Sequence, residues 1–129
     1  MNKPTSLKFF LPIIFGFIIA GCAHAEVKTT KEAMDQKLTE ITDLIDDAKC
    51  TENSHCSALA IGAKPCGGPW LYRIYSKQVS DTKQLKILAM DYKLLNKKYN
   101  KENQLMSDCM MATPPAFACI NQKCQKVDQ

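Results

Sequence analysis

The chain has 129 residues, 46% hydrophobic and 23% charged, with seven cysteines and a formal net charge of +4. That is one domain rather than two, too apolar for a disordered tail, and without the repeat or compositional bias of a fibre. The charge is too small to argue for nucleic acid or for steering by a global field.

The first eight residues carry Lys3 and Lys8 and no acid, and residues 9–20 are apolar throughout. A helical membrane span needs about 20 residues, so this run has the length of a secretory signal core and not of an anchor. Two cleavage sites compete. Ile19-Ala20-Gly21-Cys22 resembles the lipobox of bacterial lipoproteins, in which Cys22 becomes the lipidated first residue. Ala23-His24-Ala25 resembles the site of ordinary signal peptidase, cutting before Glu26. The signal peptide is residues 1–21 on the first reading, which we prefer, and 1–25 on the second. Ala23 after the cysteine resembles lipoproteins sorted to the outer membrane. One domain then covers residues 26–129. Without Lys3 and Lys8 it keeps 15 basic residues against 13 acidic, a net +2. An exported chain meets an oxidising compartment, and six cysteines remain to pair there.

A first helix is predicted over 27–49. Met34, Leu38, Ile41, Ile45 and Ala48 form one apolar seam, and Thr29 with Glu32 fits a capping box. Residues 57–61 and 71–75 read as strands, joined by a stretch dense in turn residues over 62–69. A second helix is predicted over 81–105, with the seam Leu85, Leu88, Tyr92, Leu95 and Tyr99 and a second capping box from Asp81 and Gln84. The first helix is mostly acidic and the second mostly basic, as an adjacent pair would be. Thr113-Pro114-Pro115 ends what precedes it. Residues 116–120 and 123–127 then form a hairpin about Asn121-Gln122, a weaker turn signal than Asn-Gly. The order α-β-β-α-β-β predicts an α+β fold: two amphipathic helices on one face of a small, mostly antiparallel sheet, stapled by three disulfides.

Six cysteines allow 15 pairings. An up-down-up path brings Cys109, after the second helix, to the end of the molecule that carries Cys66, so these two are expected to bond. Cys50 and Cys56 lie at the other end with Cys119 and Cys124. They are expected to bond across that group, in an order the sequence leaves open.

Catalytic signatures are lacking. Cys50-x5-Cys56 and Cys119-x4-Cys124 are not the Cys-x-x-Cys of a thiol oxidoreductase. His55-Cys56 is a poor start for a zinc site in an exported chain, where disulfides are the better reading. No Gly-x-Ser-x-Gly, His-Glu-x-x-His or phosphate loop occurs. Asp46-Asp47 reads as a solvated helix end. No catalytic residue, metal ligand or cofactor is assigned.

The most distinctive local feature is Lys64-Pro65-Cys66-Gly67-Gly68-Pro69-Trp70. As a binding loop it would present Lys64, Gly67, Gly68 and Trp70 to a partner. There the Lys64 charge, before Pro65 in a polar turn, is expected to lie in water. As a structural corner it would hold Gly67 and Gly68 at positive φ, with Trp70 starting a strand and covering a small core. The structural reading is preferred.

Taken together, the Cys-x5-Cys spacing, the Cys66-Gly67-Gly68-Pro69 loop, Tyr72-x-x-Tyr75-Ser76, Ser107-Asp108-Cys109, Pro114-Pro115 and Cys119-x4-Cys124 resemble a group of small cysteine-rich exported proteins of Gram-negative bacteria. The resemblance covers about residues 50–124. It implies an envelope location and structural cysteines, and carries no established activity. The expectation is a non-enzymatic envelope lipoprotein, acting as a binding or inhibitory module on an envelope protein partner and touching the membrane only through lipid on Cys22. The alternative is a small envelope hydrolase or redox accessory with a site that no motif marks.

Overall fold

The computed structural model describes residues 28–127. The signal segment, Cys22 and both cleavage sites lie outside these residues. Helix α1 spans Thr30–Ile45, strands β1 and β2 span Cys56–Ile61 and Leu71–Ser76, helix α2 spans Thr82–Glu102, and strands β3 and β4 span Phe117–Ile120 and Lys123–Lys126.

The predicted box starts α1: Thr29 Oγ1 accepts the Glu32 amide, and Glu32 accepts the Thr29 amide at 2.9 Å. The bonds that the Glu32 carboxylate accepts from Thr29, first from the backbone amide and then from the hydroxyl, hold it below its ordinary value. The helix ends four residues short of the predicted 49. Residues 48–50 are extended instead, and they pair with the last hairpin: the Cys124 amide donates to Ala48 O at 2.8 Å and the Cys50 amide to Gln122 O at 3.0 Å. Ala48 fits the helical seam by spacing, but it is buried among cysteines.

Strands β1 and β2 form an antiparallel hairpin in which Cys56 faces Ser76 and Ile61 faces Leu71. Strands β3 and β4 form a second, with Cys119 facing Cys124. Its turn residues Asn121 and Gln122 both lie in the left-handed region, at φ 51° and 59°, as a two-residue type I′ turn requires. The fold is α+β as predicted, but the four strands do not share one sheet. Each pairs with its hairpin neighbour and with no other of the four, and β4 adds the bridge to residues 48–50. The two ribbons are joined by side-chain packing and the Cys56–Cys124 disulfide, while Cys50–Cys119 ties the 48–50 segment to β3. This settles the order that spacing left open.

Asp81 caps α2 by accepting the Gln84 amide at 2.9 Å, without the reciprocal bond of a full box. The helix ends at Glu102, with Asn103 as its C-cap, rather than at 105. The helices pack antiparallel: Ile41 and Ile45 meet Leu85 and Leu88 in the main core with Leu59, Ile61 and Tyr75, while Lys37 meets Leu94, Leu95 and Lys98. A second core gathers Ala48, Cys50, Cys56 and Cys124 beneath Ile74 and Phe117. The opposite helix charges do not meet in contact. Among the described residues the helical ion pairs are Lys31–Asp35, Lys37–Glu40 and Lys98–Glu102, each within one helix.

The predicted seam of α2 changes character halfway. Leu85 and Leu88 are buried, but Leu95 and Tyr99 are only half-buried. The deep positions beyond Tyr92 belong to Asn96 and Asn100.

Candidate functional site at the disulfide-pinned hairpin tip

The connection between β1 and β2 is closed by the Trp70 amide, which donates to Ile61 O at 2.9 Å. Beyond that bond the chain makes a tight turn. The Gly67 amide donates to Lys64 O at 3.0 Å and the Lys64 amide to Gly68 O at 2.9 Å. Pro65 stands at the second turn position, where its fixed φ is already suitable. Gly67 and Gly68 take φ of 104° and 76°, as expected of them.

The base of this tip is held by side chains that apolar periodicity does not reveal. Ala63 is buried just past the end of β1, where its backbone has no strand partner. Asn96 Oδ1 accepts its amide at 2.8 Å, and Asn100 Nδ2 donates to its carbonyl at 2.7 Å. One helical turn of α2 thus supplies both bonds a neighbouring strand would supply. Gly62, at φ 78°, lies against the same group, and a Cβ there would stand 2.8 Å from Asn96 Oδ1 and 2.9 Å from Trp70 Cδ1.

Cys66 bonds Cys109, as the path predicted, and ties the tip to the irregular segment after α2. Lys64 adds a second tie, and here the sequence reading is corrected. Its charge is not free in water: Nζ lies 3.2 Å from Asp108 Oδ1, donates to Met110 O at 2.7 Å and sits 5.4 Å from the Trp70 ring centroid. Only 11% of the Lys64 side chain is exposed. The cause is the bridge, which brings the 107–111 segment alongside the turn. The Asp108 carboxyl is held below its ordinary value, first by the bond from Lys64 and next by the Met110 amide.

Trp70 also departs from expectation. It is 40% exposed and covers no closed core. One edge packs on Gly62 and the ring lies within reach of the Lys64 ammonium. The reason is geometric: Asn96 and Asn100 fill the space beneath Ala63, so the ring stays outside.

The segment that the bridge ties to the tip carries several exposed apolar side chains. Met106, Met110 and Met111 are 69–90% exposed, and Leu105 is exposed with them. Met111 Sδ comes within 3.8 Å of the point where a Gly68 Cβ would lie. Behind the tip is an open hollow of about 610 Å³ lined by Lys64, Cys66, Lys97, Asn100, Lys101 and Leu105. The methionines were not singled out by sequence, because residues outside a periodic element give no burial signal. Their density over 106–111 was the only available clue.

Other chemistry is thinly supported. The sulfurs of Cys50, Cys56 and Cys124 lie within 4.8 Å of one another, but all belong to disulfides and offer no thiolate to a metal. His55 contacts Thr51 and Glu52 at the surface. Among the described residues the carboxyls with displaced pKa values, Glu32, Glu40 and Asp108, are all pushed down, whereas a general acid is pushed up. No helix of the described residues is long and apolar enough to cross a membrane. The chain matches no protein-family model, no curated protein and no solved structure. Its function therefore has to be argued from this geometry.

Proposed function

We propose that the chain is a non-enzymatic protein of the bacterial cell envelope, a disulfide-stapled binding or inhibitory module that engages a protein partner through its hairpin tip. The observation that carries the reading is the set of exposed apolar side chains around one bridge: Trp70, Leu105, Met106, Met110 and Met111. Exposed apolar residues scattered singly mean little, but a group of them on neighbouring segments marks an interaction surface. Methionine adapts its shape to a partner. The bridge, the Lys64 ties and the asparagine pair hold the tip rigid before binding, which lowers the ordering cost of association.

The compartment follows from the bridges. Three disulfides join all six cysteines of the described residues, as suits an oxidising environment. The Ile19-Ala20-Gly21-Cys22 match and the resemblance of residues 50–124 to exported proteins support the finer reading, a lipoprotein anchored to the outer membrane through Cys22. Labelled palmitate should enter the protein and fail to enter Cys22→Ala. A mature N-terminus at Glu26 without label would leave a form without the lipid.

The binding surface is tested by photo-crosslinking in intact envelopes. A photoreactive residue at Met111 should give a discrete adduct with one protein, lost when Met110→Ser is added. The same residue at Asp43, on the outward face of α1, should give none. Adducts of equal yield from both positions, or none from Met111, would overturn the proposal.

A further inference from the structure

Helix α2 is apolar on two faces. The inner face carries Leu85, Leu88 and Tyr92 into the core. The outer face carries Ile87, Met90 and Leu94, which are 48–58% exposed. These three follow the i, i+3, i+7 spacing of a helix seam, and at about 100° per residue they lie roughly half a turn around from Leu85. A solvated helix face is ordinarily polar. Here two turns of it form a continuous apolar stripe.

The stripe is set in positive charge. Lys83 and Lys101 continue it at either end, Lys86, Lys93 and Lys97 flank one side, and Lys98 stands on the other with Asp91. Among the described residues only Lys98 of these six lies within 4.0 Å of a carboxylate, that of Glu102 at 3.7 Å. Beside Leu94, an open hollow of about 400 Å³ is walled by Leu95, Lys37, Asp91 and Lys98.

We infer that this face of α2 is a second docking surface, centred on Met90 and sharing only Lys97 and Lys101 with the hollow behind the hairpin tip, and that its occupant is an acidic amphipathic helix of another protein. A seam of large apolar residues in the occupant would cover Ile87, Met90 and Leu94, and acids flanking that seam would meet the lysines, the arrangement that selects partners in coiled coils. Charge argues against a second copy of this chain. Two α2 helices face to face would set lysine against lysine, and the exposed positions of α1, Lys31, Glu32, Asp35, Gln36, Thr39, Thr42 and Asp43, are polar and cannot cover the stripe.

The test uses the mature chain and a fluorescein-labelled synthetic helix with a leucine seam flanked by glutamates, followed by anisotropy. A control helix keeps the seam and replaces glutamate with lysine. The glutamate helix should bind and the lysine helix should not. Met90→Glu should weaken binding at least tenfold. Lys86→Glu combined with Lys93→Glu should weaken it similarly and reduce its salt dependence. Both sites face water, and unchanged circular dichroism will show that the fold survives. Met110→Ser with Met111→Ser, at the hairpin tip, should leave this binding intact. The inference is overturned if neither helix binds, if both bind alike, or if Met90→Glu is without effect. It is equally overturned if the tip variant abolishes binding, since the tip would then be the site. A dimer that Met90→Glu dissolves would assign the face to a second copy. Sedimentation with phosphatidylglycerol vesicles that Met90→Glu abolishes would assign it to a membrane. Either result would also overturn the inference.

Discussion

Asn96 and Ala63 are joined by a buried hydrogen bond, 2.8 Å from amide to side-chain oxygen, that stands where the first hairpin would otherwise need another strand. Asn100 completes the arrangement at the Ala63 carbonyl, and Asn96 Nδ2 lies 3.4 Å from Asn100 Oδ1. Replacing Asn96 with leucine leaves a buried amide without an acceptor, which costs about 1–3 kcal/mol. Lys93→Ala, at an exposed position of the same helix without a hydrogen bond or ion pair among the described residues, should change stability by no more than about 0.5 kcal/mol. Urea denaturation of the two variants checks the difference.

Gly62 and Gly67 share a left-handed backbone but not an environment. A Cβ on Gly67 meets nothing within 4 Å, whereas one on Gly62 collides with Asn96 Oδ1 and Trp70 Cδ1. Gly67→Ala should cost only the left-handed penalty, about 1–2 kcal/mol. Gly62→Ala should cost clearly more, because it also pushes Asn96 off Ala63. A Gly62→Ala protein as stable as Gly67→Ala would show that the asparagine can move aside freely.

Lys64 and Asp108 give the tip a pH dependence whose direction can be worked out. Asp108 has a lower carboxyl pKa in the folded chain than in the unfolded one, because Lys64 donates to it. Its contribution is complete above the ordinary aspartate range. It is lost as the pH falls below that range and through the lowered native value. The stability gap between wild type and Lys64→Met should therefore narrow as the pH is taken from about 7 to about 3. A gap that widens on acidification would contradict the pairing.

The bridges differ in access. Cys50, Cys56 and Cys124 are buried, while Cys66 and Cys109 are exposed. Limiting dithiothreitol should release thiols at Cys66 and Cys109 first, detected by alkylation and peptide mapping. The two inner bridges join cysteines 69 and 68 residues apart, and on chain-entropy grounds each is worth about 4 kcal/mol. That is a large part of the stability of a small domain. Cys66–Cys109, 43 residues apart, is worth nearly as much on the same grounds, but Cys56→Ser also places a hydroxyl in the buried cysteine core, so it should lower recovery more than Cys109→Ser.

Much of this fold was legible in the sequence, and the misses share one cause. Met34, Ile41, Leu85 and Leu88 announced two helices because each lies on a single apolar seam. The path of the chain placed Cys66 beside Cys109. What failed was inference from local pattern where a distant segment competes. Residues 48–50 leave helix α1 because the last hairpin offers them strand bonds. Lys64 leaves the water because a bridge 43 residues long brings Asp108 to it. Asn96 and Asn100 took core positions that periodicity reserves for apolar side chains, since the unpaired backbone of Ala63 needed them. At the candidate site the glycines and Cys66 were readable, whereas the exposed methionines and the outer stripe of α2 were not. Exposure depends on what fails to pack against a residue, and no spacing rule contains that.

Trp70 offers the most direct check on the tip, because it is the only tryptophan in the chain. Its ring is 40% exposed, rests on Gly62 and lies near the Lys64 ammonium. Its emission should therefore be red-shifted relative to a buried indole and quenchable by acrylamide. Truncating a fully buried large aromatic costs about 3–5 kcal/mol, and a ring this exposed should cost less, about 2 kcal/mol on Trp70→Ala. Lys64→Met should alter the emission without unfolding, since the ammonium lies 5.4 Å from the ring centroid. A partner crosslinked from Met111 should shift the emission to the blue on titration, because covering the tip removes water from the exposed edge. The acidic helix that docks on the outer face of α2 should leave it unchanged. A partner that binds with no change in Trp70 emission, and that binds Trp70→Ala as well as wild type, would exclude the hairpin tip as the binding surface.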